Sequence, residues 1–325
     1  MNSGVSRMME THKKYVSQFT MMGTVISLTL FEPNQTAVEA VYDYLQRMDE
    51  VFSVNRPDSE VAAINRYAGI HPVLVSTACF RLVADAIRYT QQYPTSFNVL
   101  IGPLVKLWKI GFGGHQVPSA EAIQQRLALM DLHEVILDEA QSSVYLRQPG
   151  MQLDLGAIAK GYFADQIVTQ LQQAGIEHAI VNLGGNVKLL GDNPLTANQQ
   201  WQVGIQAPEA PRGYPALQVE MPARTVVTSG IFERYFKIGN RQYHHILDPK
   251  TGYPVENQVD QVTIITEQSE LAEVLSTVAY FEGPKQGAQL IEPLPKTEAI
   301  FIDHDQHVTV TSGLTPRRKG VFTIE

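Results

Sequence analysis

Between residues 201 and 247 the chain carries five strand-length stretches, at 201–206, 217–221, 225–228, 234–238 and 242–247, divided only by short connections. Strands so closely joined pair as hairpins, and such a meander commits this part of the chain to antiparallel sheet. Alternation at 25–30, with Ile26, Leu28 and Leu30 on one face, marks another half-buried strand. Further strands are expected at 134–138, 143–147, 151–155, 178–183, 261–266, 298–302, 307–311 and 320–324. Helical spacing of Val38, Val41, Leu45, Met48 and Phe52 predicts an amphipathic helix at 37–52, behind a Thr36–Glu39 capping box. A short helix should start at Val61 and Ile64, and longer ones cover 77–92, 119–129 and 270–281. Another runs from a turn at Gly156 to about Gln173 and ends at Gly175. The Gly-rich segment 97–115 reads as irregular. Helices interspersed with hairpin-linked strands give an α+β fold, mostly antiparallel sheets with flanking helices, in one compact bilobal domain. That domain is expected to span 18–325, after a loose polar tail at 1–17.

The 325 residues suffice for a large core, and 44% hydrophobic with 18% charged residues is ordinary for a globular protein. The net charge of −8 argues against nucleic acid or an anionic membrane surface as partner. One cysteine, Cys79, allows no internal disulfide, and its place in an apolar helical pattern makes it a small core residue. No stretch reaches the length of a membrane span, so no insertion is expected. The start, MNSGVSRMMETHKKYVSQ, lacks the apolar core of a signal peptide, and no lipoprotein-type cysteine follows; the expectation is a cytoplasmic protein, or an exported one if a leader has been trimmed from it.

Four segments could carry chemistry. Asp154 to Gly161 lies at a strand-to-helix junction, where free backbone N–H groups and the helix dipole suit an anion. Lys160 could add a point charge there, and Asp154 could fix the loop or bind a ribose; an ordinary tight turn explains the segment equally well. Asn182-Leu183-Gly184-Gly185-Asn186 is either a Gly-rich turn or a loop where backbone approaches a ligand. His244 and His245 open the densest polar cluster, which continues to Pro254. His245 could act as a general base or be structural, and in a strand His244 would face the other way. Glu273 and Thr277, four apart on one helix, share a face and offer hard oxygens suited to Mg2+, or else form a solvated surface.

In their order and spacing these segments resemble the ApbE family of FAD:protein FMN transferases. The resemblance covers about Phe19 to Gly283. It is carried by Met22-Gly23-Thr24, Phe52 to Glu60, Phe97 to Val105, Asp154 to Gly161, Asn182 to Asn186, Thr228-Ser229-Gly230, His245 to Gly252 and Ala272 to Thr277. It implies that FAD is the substrate, in a cleft between two lobes lined by Met22, Asn55, Ser96, Phe97, Asn98, Asp154, Lys160 and Leu247. It implies Mg2+ held by the carbonyl of Ala157, by Glu273 and by Thr277, with Ser276 nearby, and His245 at the catalytic position. The implied reaction passes FMN from FAD to a threonine or serine of an acceptor flavoprotein and releases AMP. Glu273 stands where the family usually has aspartate, Asn55 where an aromatic residue is frequent, and Asn98 where aspartate is frequent. Loss of a stacking ring at Asn55 leaves a second reading, hydrolysis of FAD to FMN and AMP. The change at Glu273 leaves a third, a flavin-binding protein without catalysis.

Overall fold

The computed structural model describes residues 9–11, 14–211 and 213–324. In chain order the elements are β1 (Met9–Thr11), β2 (Lys14–Met21), β3 (Thr24–Leu30), α1 (Gln35–Phe52), α2 (Glu60–Arg66), β4 (Val73–Leu74), α3 (Thr77–Gln92), α4 (Gly102–Trp108) and α5 (Ala120–Leu127). Then come β5 (Val135–Asp138), β6 (Ser143–Leu146), α6 (Ala159–Gln173), β7 (Ala179–Leu183), β8 (Asn186–Leu190), β9 (Trp201–Gln206), β10 (Pro215–Met221), β11 (Thr225–Gly230), β12 (Tyr235–Ile238) and β13 (Arg241–His244). Last are β14 (Val259–Thr266), α7 (Ser269–Ile291), β15 (Glu298–Asp303), β16 (Val308–Val310), β17 (Thr315–Arg318) and β18 (Val321–Thr323). The chain divides into two compact units, one formed by Met1–Arg47, Lys160–Gly230 and Gln258–Glu325, the other by Met48–Ala159 and Ile231–Asn257. No helix among the described residues is long and apolar enough to cross a membrane.

The first unit is built on a nine-stranded sheet in the order β1-β2-β3-β7-β8-β11-β14-β15-β16 and a four-stranded sheet in the order β17-β18-β10-β9. Among the described residues every strand pairing here is antiparallel except that of β10 with β18. Trp201, Ile205, Leu217, Val219 and Met221 of the smaller sheet pack with Leu189, Val226, Ile265 and Ile300 of the larger one. α7 packs along β14 and β11. All eight residues of β14 are buried, the polar Asp260, Gln261, Thr263 and Thr266 as well as the apolar four. Each buried Val or Ile there contributes roughly 1.5–3 kcal/mol.

Two tight turns lie side by side in this sheet. Met22 (φ 52°) and Gly23 (φ 72°) join β2 to β3, and Gly184 (φ 69°) and Gly185 (φ 105°) join β7 to β8. Two successive positive φ values are what a two-residue hairpin turn needs, because they match the twist of the strands. β3 pairs with β7 from Ile26 opposite Leu183. A Cβ on Gly184 would come within 2.3 Å of the Thr24 hydroxyl, so the glycine is also required by close approach.

The second unit holds α2 to α5, the small sheet β4-β6-β5 and the hairpin β12–β13. Its aromatic centre is Trp108, whose ring centroid lies 6.4 Å from Phe236, 5.9 Å from Tyr243 and 5.8 Å from Tyr253. The indole Nε1–H donates to the Gly252 carbonyl at 2.8 Å.

Several expectations are corrected. Residues 9–11 and 14–17, expected in the loose tail, lie in paired strands, Met9–Thr11 against β2, which starts at Lys14; residues 1–8 and 12–13 lie outside the described residues. α1 is capped not by Thr36 but by Asn34, whose side-chain oxygen accepts from Ala37 N at 2.9 Å. Segment 97–115 contains α4, which Pro103 starts by fixing φ where the missing N–H costs nothing. Residues 151–155 join no ladder, because Asn65 takes both backbone groups of Leu153, at 2.7 and 3.0 Å. The helix expected at 270–281 continues to Ile291 past an interruption at Gly283, and β13 ends at His244 rather than 247.

Candidate functional site

In the first unit the sequence brings Lys160, Glu273, Ser276 and Thr277 together through α6 and α7. α7 begins beneath the carboxylate of Asp165, which accepts from the backbone N–H of Ser269 and of Glu270, each at 3.0 Å. The same carboxylate takes the Lys188 ammonium at 2.7 Å. An acid at the start of a helix satisfies its orphan donors and its dipole, which Gln268 at the N-cap does not do with its own side chain. α6 lies against this end of α7 because residue 161 is glycine; a Cβ there would meet Ser269 O at 2.3 Å and the Glu270 backbone at 2.6 Å.

That approach places Lys160 against Glu273. The ammonium donates to both carboxylate oxygens, at 3.0 and 3.1 Å. Asn186, buried at the start of β8, donates its side-chain N–H to Glu273 Oε1 at 2.8 Å. The Asn186 oxygen accepts from Ser269 Oγ at 2.8 Å, and Ser269 Oγ accepts from Thr225 Oγ1 at 3.0 Å. Glu273 is 5% exposed, so this chain of donors fixes a carboxylate that has little water to turn to. One turn on, Ser276 is committed elsewhere: its hydroxyl shares a hydrogen bond with Ser229 at 2.8 Å and lies 2.9 Å from the Glu273 carbonyl. Thr277 donates weakly to that carbonyl at 3.4 Å, which leaves lone pairs on its oxygen. Met22 sits half-buried in the β2–β3 turn of the same unit.

The second unit carries the other expected residues. Asp154 accepts from Gly156 N at 2.8 Å, an Asx turn ahead of α6, and its own N–H reaches Val99 O at 2.8 Å. Burial pushes its carboxyl above the ordinary aspartate range, against the opposing pull of the Gly156 N–H and of the Arg234 charge. Ala157 follows in that turn. Ser96 and Phe97 are buried, Asn55 is exposed in a turn, and Leu247 is buried and bridged to Pro254. Asn98 uses both ends of its amide on backbone, giving its N–H to Met130 O at 3.2 Å and accepting from Leu100 N at 2.8 Å.

The two histidines separate as their alternation implies. His244 is buried, its Nε2 donating to Val255 O at 2.9 Å and its Nδ1 accepting from Ile246 N at 3.3 Å, an arrangement that serves structure. His245 is half-buried, held to the Arg234 carbonyl by its backbone N–H at 3.1 Å and by Nδ1 at 3.2 Å. A carbonyl can only accept, so Nδ1 carries the proton and Nε2 is the basic nitrogen.

The sequence alone assigns no role to Asn186, Ser269, Asp165 or Arg234. Asn186 and Ser229 stand in two of the segments that carry the family resemblance, as the final residue of a Gly-Gly turn and as the centre of Thr228-Ser229-Gly230. Asp165 stands four residues after Gly161, one helical turn along the same face, which was a readable signal. Arg234 acts through its carbonyl and its charge, and nothing in its sequence context marks it.

The ApbE family model matches residues 22–301. The chain is 40% identical over 304 residues to an FAD:protein FMN transferase of Klebsiella pneumoniae, covering 94% of each. It is 36% identical to an FAD:protein FMN transferase of Treponema pallidum, covering 94% of this chain and 89% of the relative. Among solved structures, the ApbE protein of Thermotoga maritima superposes with a TM-score of 0.82 at 28% identity, over 92% of this chain and 97% of that one. The flavin transferase ApbE of Vibrio cholerae gives 0.76 at 26% identity, with the same coverage.

Proposed function

The chain belongs to the ApbE family, and from that premise we propose that it acts as an FAD:protein FMN transferase through the residues placed above. It breaks the bond between the two phosphates of FAD, forms a new bond from the FMN phosphorus to a threonine or serine hydroxyl of an acceptor flavoprotein, and releases AMP. The observation that carries this reading is the family match over most of the chain. The buried Glu273 cluster of the first unit supports it.

Mg2+ fits the donors present. Glu273 Oε1 accepts from Asn186 and Lys160, whereas Oε2 accepts from Lys160 alone and is the less committed oxygen. Thr277 adds a second hard oxygen from the same helix face, and such a sparse set suits an ion that retains several waters. Ser276, spoken for by Ser229, supports the helix turn rather than the metal. Held by Glu273 and Thr277, Mg2+ would supply positive charge to the diphosphate and to the departing AMP.

The protein itself contributes placement and one proton transfer. A hydroxyl is a poor nucleophile at neutral pH, so its proton passes to His245 Nε2 as the oxygen attacks phosphorus. The Nδ1 bond to Arg234 O holds that tautomer. Met22 and Lys160 in the first unit, and Asn55, Ser96, Phe97, Asn98, Asp154 and Leu247 in the second, bind FAD. Leu247, Ser96 and Phe97 offer buried apolar surface and a hydroxyl, and Asn98 shapes the backbone that carries them.

The test mixes purified protein with FAD, Mg2+ and a flavoprotein acceptor that another family member labels. The acceptor should gain one FMN moiety by mass, with an equal amount of AMP. Free FMN and AMP beside an unchanged acceptor would replace this reading with FAD hydrolysis.

A further inference from the structure

We propose that Lys160 is the resident counter-ion of the Glu273 carboxylate and yields it to a divalent cation, which frees its ammonium for the phosphates of the substrate. The inference rests on Glu273 as a Mg2+ ligand. Three observations within the first unit carry it. The Lys160 ammonium straddles the carboxylate, at 3.0 and 3.1 Å from its two oxygens. The two partners are unequally held: the Glu273 side chain is 6% exposed and clamped by Asn186, whereas that of Lys160 is 34% exposed. Glycine at 161 brings the helix carrying Lys160 into backbone contact with the start of α7, so the lysine is delivered to the carboxylate by the fold.

An ionised carboxylate with so little solvent must be paired, and removing the Lys160 ammonium leaves an uncompensated charge among the described residues. Lysine suits a temporary partner, being a point charge on a flexible stem, where a bidentate arginine would be harder to displace. An ammonium and a divalent ion cannot share the same two oxygens without mutual repulsion, so one excludes the other. Once displaced, the ammonium is best satisfied by an anion. Mg2+ and the FAD diphosphate are therefore thermodynamically linked, each raising the affinity for the other.

Calorimetric titration of MgCl2 into FAD-free protein tests this in wild type and in Lys160→Met. The variant should bind Mg2+ about tenfold more tightly or better, since no charged hydrogen bond has to be given up. Mg2+ should also raise its melting temperature more than that of wild type. Equal or weaker affinity in the variant overturns the exchange while leaving Glu273 as a ligand. No Mg2+ binding in either protein overturns both the exchange and the metal assignment. Should the variant not fold, wild-type protein with 13C-labelled lysine side chains gives the same answer. One lysine signal should shift on adding Mg2+ and none in Glu273→Gln; an unmoved spectrum in wild type overturns the proposal.

Discussion

Replacing Gly161 by alanine sets two effects of opposite sign against each other. Helix propensity favours alanine by about 1 kcal/mol in a helix interior. The packing opposes it, because the new Cβ would stand 2.3 Å from Ser269 O and 2.6 Å from the Glu270 N and Cα, all backbone atoms that cannot rotate away. Ordinary contact begins near 3.4 Å, so α6 and the start of α7 must part by about 1.1 Å. Overpacking of this kind costs roughly 1–3 kcal/mol, and a rigid backbone wall puts the site at the upper end. The net expectation is a loss of about 2 kcal/mol, read from urea unfolding. The same displacement stretches the Lys160–Glu273 contacts, now 3.0 and 3.1 Å, past hydrogen-bond range. Gly161→Ala should accordingly weaken the resident Lys160–Glu273 pair as well as stability. A variant as stable as wild type or more so would mean that helix propensity wins, and would refute the argument that this glycine exists for close approach.

His245→Ala should slow FMN transfer by about 10^2 to 10^4-fold, the usual contribution of a general base, with FAD affinity unchanged. Mass measurement of acceptor labelling and flavin titration check the two halves, and lost FAD binding would assign the residue to substrate instead. Asp154 has its pKa raised by burial above the ordinary 3.8, so the folded state binds its proton more tightly than the unfolded chain. Its contribution to stability is therefore full below the unfolded pKa and is lost as pH rises through the folded one. Asp154→Asn should flatten that decline, and a stability difference from wild type that stays constant across acid to neutral pH would refute the assignment.

The strands and helices that sequence made legible were those whose burial is one-sided and regular. Residues 25–30 and 77–92 alternate or recur against a single buried face, and both form as expected. What escaped is set by partners distant in sequence. Leu153 is kept out of a ladder by Asn65, 88 residues away, and no local pattern records that. α4 hid because its glycine at 102 answers a close approach to Gln152 rather than a loop. In the site, residue types with few structural uses at their positions stood out, such as Lys160 and His245. Residues that act by bracing did not. Asn186 looked like the end of a turn, and only the structure shows it gripping Glu273.

The pairing of β11 with β14 has a consequence for how the polypeptide is made. Gly230 lies opposite Gln261, so the two ends of the intervening 231–257 segment meet, although that whole segment belongs to the other unit. On a ribosome, β11 must wait for some 36 further residues, about two to seven seconds at ordinary elongation rates, before its neighbour emerges. Until then its outer edge is an unpaired row of peptide groups. The nascent chain is most exposed to mispairing in that interval, and a stop or pause between 231 and 258 would leave the large sheet open at its middle.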